Sequence, residues 1–515
     1  MLCKKQLSVF LLLALLCLLL AGCAGEEPPP AVLTLSFGEV PLDSQELTAV
    51  LTPEDIPLLD ELTELRAADF SGSACFEELA AWGRKHPEVK LRFTVPFPDG
   101  SELSNSVSLL DFTSYGEDQI EAALPLLKFL PEMKRVRLGS GRTPELAAKC
   151  ISSYPEIDFL YELSLFGQKL SKSSQELDLR EAGHQDAELI LRYLPLLPSL
   201  QTVELGSDEA NGHFEWEDIY AMQAACPQAE FNYSFKLYGK SFTLADELMD
   251  FRRTTMKDEG ALVLSAARCM PHLKKLDMDH CGVSDESMAA IRDALPEVNV
   301  VWRIWFGRNY TVRTDVEKIL ASNPGIGGEL TPENAYSLRY CTKVKYLDLG
   351  HNSYLGSIEF ASYMPDLEVL IIALSNVSDL SPLANCPKLE YLEILTTAVN
   401  DLRPLSGLKN LRHINVCYAL ALHDITPLYE LEDLDRLWLG CLTPVPQEQV
   451  DKLLEIFPDC EVNTTTLSPL AEGWRYLSIA TPTQSAQLAE RYRLLRQQFD
   501  YREYSYAYPW NDPLY

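Results

Sequence analysis

The chain has 515 residues, with 75 Asp or Glu against 44 Lys or Arg and a formal net charge of -31. That balance argues against a nucleic-acid partner, because a polyanion is normally bound by a basic stripe that releases its counterions. Hydrophobic residues at 47% and charged ones at 23% argue against disorder, and the length allows about three domains unless the chain is built from repeats.

Residues 1–22 combine Lys4 and Lys5, an apolar run over 7–20 and small residues, which is the pattern of a secretory signal peptide. The run is too short for a comfortable membrane-spanning helix. Its end, Leu20-Ala21-Gly22-Cys23, resembles the lipobox of bacterial lipoproteins. The resemblance implies an acylated Cys23 as the mature N-terminus, with 23–30 as lipidated residue and Pro-rich spacer. It also implies an extracytoplasmic chain held to the cell membrane by lipid and not by a helix. Losing Lys4 and Lys5 with the leader lowers the net charge by two, to -33. Ten cysteines follow Cys23 with no CxxC pair, and their scatter predicts mostly free, packed thiols.

From 31 to 314 the chain repeats coarsely. Phrases built on Pro87, Pro155, Pro227 and Pro296 recur at 68, 72 and 69 residues. Most run into an alternating strand ending in Gly, as at Gly239 and Gly307, which predicts hairpins with a positive-φ turn. Amphipathic helices lie between, for example one capped by Ser284 with Met288, Ile291 and Leu295 on one face. A period near 70 divides into about three strand-bearing units of 23 to 24 residues.

From 315 to 465 the repeat is regular. Strand phrases begin at Val344, Leu367, Leu389, Leu411 and Leu434, spaced by 23, 22, 22 and 23 residues. A second phase keeps register with them: Asp379-Leu-Ser-Pro382-Leu383, Asp401-Leu-Arg-Pro404-Leu405 and Asp424-Ile-Thr-Pro427-Leu428. One such unit cannot bury its leucines alone, so the units must stack along a parallel sheet. These motifs resemble leucine-rich repeats, and the Asp-Leu-x-Pro-Leu phase resembles the internalin-type subclass of Gram-positive surface proteins. With the leader, the whole is similar to exported Gram-positive leucine-rich repeat lipoproteins, in which a Trp-rich strand and a phrase like Val312-Arg313-Thr314-Asp315 precede regular repeats. The implied fold is an α/β leucine-rich repeat solenoid, a curved parallel sheet with convex helices and Pro-containing loops. Ser375 and Thr397 replace the usual Asn after the strand, which Asn352 alone approximates, so no regular Asn ladder is expected. Residues 466–515 break the pattern and read as a C-terminal cap helix with a Tyr-rich tail.

The chemistry signatures are mostly missing. HExxH, GxSxG, paired CxxC and EF-hand patterns do not occur, so neither an enzyme, a metal site nor a cofactor is expected. Gly239-Lys240-Ser241 lacks the first Gly of a phosphate loop, since Ser234 stands there, and reads as a turn. His280-Cys281 beside Asp277 and Asp279 reads as a solvated strand-to-helix turn. Period-two strands place one row of Tyr346, Val369, Tyr391, His413 and Arg436, and another of Asp348, Ile371, Glu393, Asn415 and Trp438, on the concave face. Tyr, Trp and Arg are enriched at interface hot spots, so these ten residues are the expected ligand surface. The expected partner is a protein, with a polysaccharide stacked on the aromatic row as the alternative, or a purely structural envelope scaffold. Membrane contact is expected through the lipid only.

Overall fold

The computed structural model describes residues 31–208, 214–308, 310–322, 330–469, 472 and 474. They form two compact units, one of residues 31–178, 185–203 and 224–230, the other of the remaining described residues. The change from coarse to regular repeats near residue 314 falls inside the second unit. The expected signal peptide and spacer, residues 1–30, and the part of the expected cap and Tyr-rich tail beyond residue 474 lie outside the described residues. Among the described residues no helix is long and apolar enough to cross a membrane.

The regular repeats build one seven-stranded parallel sheet in chain order. Its strands are Lys318–Leu320, Tyr346–Asp348, Val369–Ile371, Tyr391–Glu393, His413–Asn415, Arg436–Trp438 and Glu461–Asn463. Each strand has three residues, and the central Leu347, Leu370, Leu392, Ile414 and Leu437 are wholly buried. The chain returns through short 3-10 turns, Ser381–Asn385, Arg403–Leu405 and Thr426–Glu430, each with Pro in its first turn. The Asp of each phrase fixes that turn. Carboxylates of Asp379, Asp401 and Asp424 accept from the backbone N–H of Ser381, Arg403 and Thr426 at 2.8, 2.9 and 2.9 Å. One orphan donor of the short helix is thereby satisfied, and Pro removes another.

The interrupted Asn ladder also has a physical form. Buried Asn352 donates to the carbonyls of Leu349 at 2.8 Å and of Ala321, one repeat earlier, at 3.0 Å. The shorter Ser375 and Thr397 donate only to Ile372 and Ile394 of their own repeat, at 2.7 and 2.8 Å. Three residues past the strand the backbone turns left-handed at Arg253, His280, His351, Leu374, Thr396 and Tyr418. This conformation recurs with the repeat, so it is a requirement of the turn and not the mark of a functional site.

The coarser repeats in the second unit give a parallel sheet of Leu248–Asp250, Lys275–Asp277 and Asn299–Val301, then an antiparallel hairpin, Arg303–Phe306 with Tyr310–Arg313. The helix Asp285–Ala294 starts at Ser284, whose hydroxyl accepts from Ser287 N–H, and buries Met288 and Ile291 as its spacing predicts. Lys240–Thr243 pairs back on the preceding strand through Tyr238 and Gly239, both at positive φ, which is the I′ turn that suits strand twist. In the first unit the parallel sheets are Glu46–Thr48, Ala67–Asp69, Lys90–Arg92, and Leu109–Asp111, Arg135–Ser140, Asp158–Leu165. Antiparallel Gln168–Leu170 closes the second of these through a Phe166-Gly167 turn of the same kind.

Thr396 is β-branched and exposed at φ 52°, a conformation that Asn tolerates better. Thr396→Asn is therefore expected to raise stability in urea unfolding by about 0.5–1 kcal/mol; no gain would mean the turn is already relaxed.

Candidate functional site

The parallel register assembles the two expected rows. Tyr346, Val369, Tyr391, His413 and Arg436 stand side by side, as do Asp348, Ile371, Glu393, Asn415 and Trp438. All ten side chains are buried, however, so the expectation of an open concave face over these repeats is corrected. The described cover is Trp474, which is 0% exposed. Its indole N–H donates to Glu393 Oε2 at 3.0 Å, and Tyr391 O–H donates to the same oxygen at 3.0 Å. Its carbonyl accepts from Arg436 Nη1 at 2.9 Å. Its ring lies 5.4 Å from Tyr391 and 5.5 Å from Trp438, with the Arg436 guanidinium 4.5 Å from its centroid. Arg436 and Trp438 are in turn tied to Glu461 at 3.2 and 3.1 Å. The aromatic and charged side chains chosen as ligand anchors are thus consumed by an intramolecular contact that satisfies the buried Glu393 carboxylate.

A second buried polar layer stands where a solvated turn was expected. Arg303 binds Asp279 through two nitrogens at 3.0 and 3.1 Å. Arg313 binds Asp277 at 2.9 and 3.3 Å and Asp315 at 3.0 and 3.1 Å. Asp277, Asp279, Arg303 and Arg313 are all buried, and only His280 of this turn reaches solvent. Burial alone would push the carboxyls of Asp279 and Asp315 up, but hydrogen bonds and charge from Arg303 and Arg313 outweigh it and hold both below their ordinary range. Spacing could not reveal this layer, since Asp279 and Asp277 stand 24 and 36 residues from Arg303 and Arg313.

Burial pushes the Cys281 thiol up to about 11 and Cys269 to about 12, far from a reactive thiolate. The ten described cysteines are free, and all but Cys441 are buried, as their scatter predicts. Among the described residues no group of His, Cys, Asp or Glu is placed to hold a metal ion.

Open strand positions do exist in the first unit, on both of its parallel sheets. At positions equivalent to the buried rows, Lys90, Arg92, Leu109, Arg135 and Arg137 are exposed. Register sets Arg92 beside Asp69, Arg135 beside Leu109 and Asp158, and Arg137 beside Asp111. The pairs close at 3.8 Å for Arg92–Asp69, 2.8 Å for Arg135–Asp158 and 3.5 Å for Arg137–Asp111. The Val136-Arg-Leu138 phrase is legible as a strand, but alternation alone does not show that Arg135 and Arg137 stay exposed while the rows of the regular repeats are buried.

The family model described as Leucine Rich repeat matches residues 269–291, which contain the strand Lys275–Asp277 and most of the helix that follows. No curated protein matches the sequence. Among solved structures, a leucine-rich repeat protein of Leptospira interrogans is 16% identical over 65% of this chain and 91% of its own, with a TM-score of 0.26. An internalin of Listeria monocytogenes is 14% identical over 84% and 86%, with a TM-score of 0.23. The ectodomain of a plant receptor kinase from Arabidopsis thaliana is 13% identical over 81% and 48%, with a TM-score of 0.20. Superpositions this loose carry no argument by themselves. The stacked 22- to 23-residue units and the match of one unit to the repeat model define the fold as a leucine-rich repeat solenoid of the α/β class.

Arg313→Met removes the partner of two carboxylates and is expected to cost roughly 3–5 kcal/mol in unfolding at pH 7. Because the folded Asp279 and Asp315 titrate low, the stability they confer is complete above their unfolded values and is lost as pH falls through the folded ones. The variant and wild-type unfolding curves should therefore converge in acid, and a pH-independent gap would contradict the ion-pair layer.

Proposed function

We propose that this is a binding protein without catalytic activity, held by lipid on Cys23 at the outer side of a bacterial cell membrane, that recognises a protein partner through the open strand face of its first unit. The observation that carries the reading is the contrast between the two faces. In the regular repeats both rows are buried, with the chain's own Trp474 packed on Tyr391, Glu393, Arg436 and Trp438, whereas Arg92, Arg135 and Arg137 leave more than half of each side chain in solvent. Arginine beside exposed apolar surface, here Leu109, is the composition of an interface anchor. Their ion pairs are exposed and so contribute little to stability, which leaves the guanidiniums available to re-pair with an acidic partner at small cost. The polysaccharide alternative rested on a row of aromatic rings, and burial of Tyr346, Tyr391 and Trp438 removes that support.

The lipid anchor and location are supported by the Leu20-Ala21-Gly22-Cys23 phrase. Cys23→Ser is expected to abolish incorporation of labelled fatty acid and to move the protein from the membrane fraction to the soluble one; unchanged labelling would overturn the anchor. For binding, the triple variant Arg92→Glu, Arg135→Glu, Arg137→Glu should lose a surface-crosslinked partner at least tenfold. Tyr346→Phe, altered in the closed rows, should retain it. Equal capture by wild type and triple variant would refute the open-face reading.

A further inference from the structure

In the second unit, the turns after Leu248–Asp250 and Lys275–Asp277 and the strand Arg303–Phe306 border a cleft of about 330 Å³, several times the liquid volume of a water molecule. Four fixed cations line it, Lys240, Arg252, Arg253 and Arg303, against two carboxylates, Asp250 and Asp279. This inverts the balance of a chain with 75 acidic and 44 basic residues. Both carboxylates are committed. Asp279 is chelated by Arg303 at 3.0 and 3.1 Å and touched by His280 Nδ1 at 2.8 Å. Asp250 is chelated by Arg252 at 3.0 and 2.7 Å.

That leaves two cations at the mouth. Lys240 donates to the carbonyl of Asp250 at 2.5 Å and lies 4.0 Å from its carboxylate. Arg253 makes no ion pair with a described carboxylate within 4.0 Å, and its own backbone is fixed by an N–H bond to the Asp279 carbonyl at 2.8 Å. The floor, Arg303 with Asp279, is almost wholly buried, while Lys240, Arg252 and His280 are roughly two-fifths exposed. A concave, partly desolvated wall with excess guanidinium and ammonium is the arrangement that takes oxyanions, since planar guanidinium donors match carboxylate and phosphate oxygens.

We infer that this cleft is a binding site for a small oxyanion, a phosphate or carboxylate group, held between Lys240 and Arg253. The site lies in the second unit and stands whether or not the first unit's strand face binds a protein. The turn Gly239-Lys240-Ser241 remains a hairpin turn, but one that delivers its lysine to the cleft mouth.

The test is isothermal titration of the full chain with inorganic phosphate and, separately, with citrate, each against sodium chloride at matched ionic strength. Saturable binding of either anion at one site is expected, with chloride inert; phosphate alone assigns a phosphoryl group and citrate alone a carboxylate. Arg253→Asn, which suits the left-handed turn at φ 61°, should weaken binding at least tenfold. Lys240→Gln should do the same and serves if the first variant does not fold by circular dichroism, whereas Arg403→Gln, in an exposed turn of the regular repeats, should bind as wild type. Absence of saturable binding to the wild type, or affinity unchanged in the folded cleft variants, would overturn the inference.

Discussion

A three-residue strand cannot shield its own central leucine, and everything else in the regular repeats follows from that. Burial comes only from the neighbours before and after, so the repeats stack and share one core, with Leu347, Leu370, Leu392, Ile414 and Leu437 as its spine. The spine fixes the strand register, and register fixes the two flanking rows. Stacking also needs a compact return path, which the Asp-capped, Pro-started 3-10 turns provide with few residues and few unsatisfied backbone groups.

The flanking rows then meet one of three fates, decided by side-chain chemistry. Where they are aromatic and aliphatic, as at Tyr391, Ile371 and Trp438, leaving them in water would cost apolar burial of about 1.5–3 kcal/mol for each large side chain, and they share one buried cluster with Trp474. Where Asp277 faces Arg313 and Asp279 faces Arg303, the charges bury one another in bidentate pairs that compensate much of their desolvation. Where the rows are Lys90, Arg92, Arg135 and Arg137, solvent keeps the charges and the face stays open. Binding surface, on this account, is what remains after the chain has satisfied itself, and both the open strand face and the cationic cleft are such remainders.

The fold was legible because its signal is local and repeated: strand spacing, the Asp-x-x-Pro phase, Gly at hairpin turns and the Ser284 cap each sit within one unit and recur. The replacement of Asn by Ser375 and Thr397 was legible for the same reason. The candidate surface was not. Period-two alternation says which side a residue faces but not what lies over that side, and Trp474 comes from outside the repeats, 81 residues from the Glu393 it bonds. The Arg303 and Arg313 layer was hidden likewise, since a lone arginine on a strand reads as solvated until its carboxylate partner from another unit of the repeat is placed beside it. Pattern therefore located the sheet, and only tertiary contact told a closed face from an open one.

The two flanking rows of the regular repeats are closed in the folded protein, with Trp474 seated on Tyr391 and Trp438. Hydroxyl-radical footprinting of the full chain under native conditions tests it directly, because the chain carries its own reference: Trp305 is 62% and Tyr354 60% exposed. The account predicts that Trp305 and Tyr354 oxidise readily while Tyr391, Trp438 and Trp474 are strongly protected until the protein is unfolded. Oxidation of Tyr391 and Trp438 at the rate of Trp305 in the folded protein would contradict it and return the concave rows to the list of ligand surfaces.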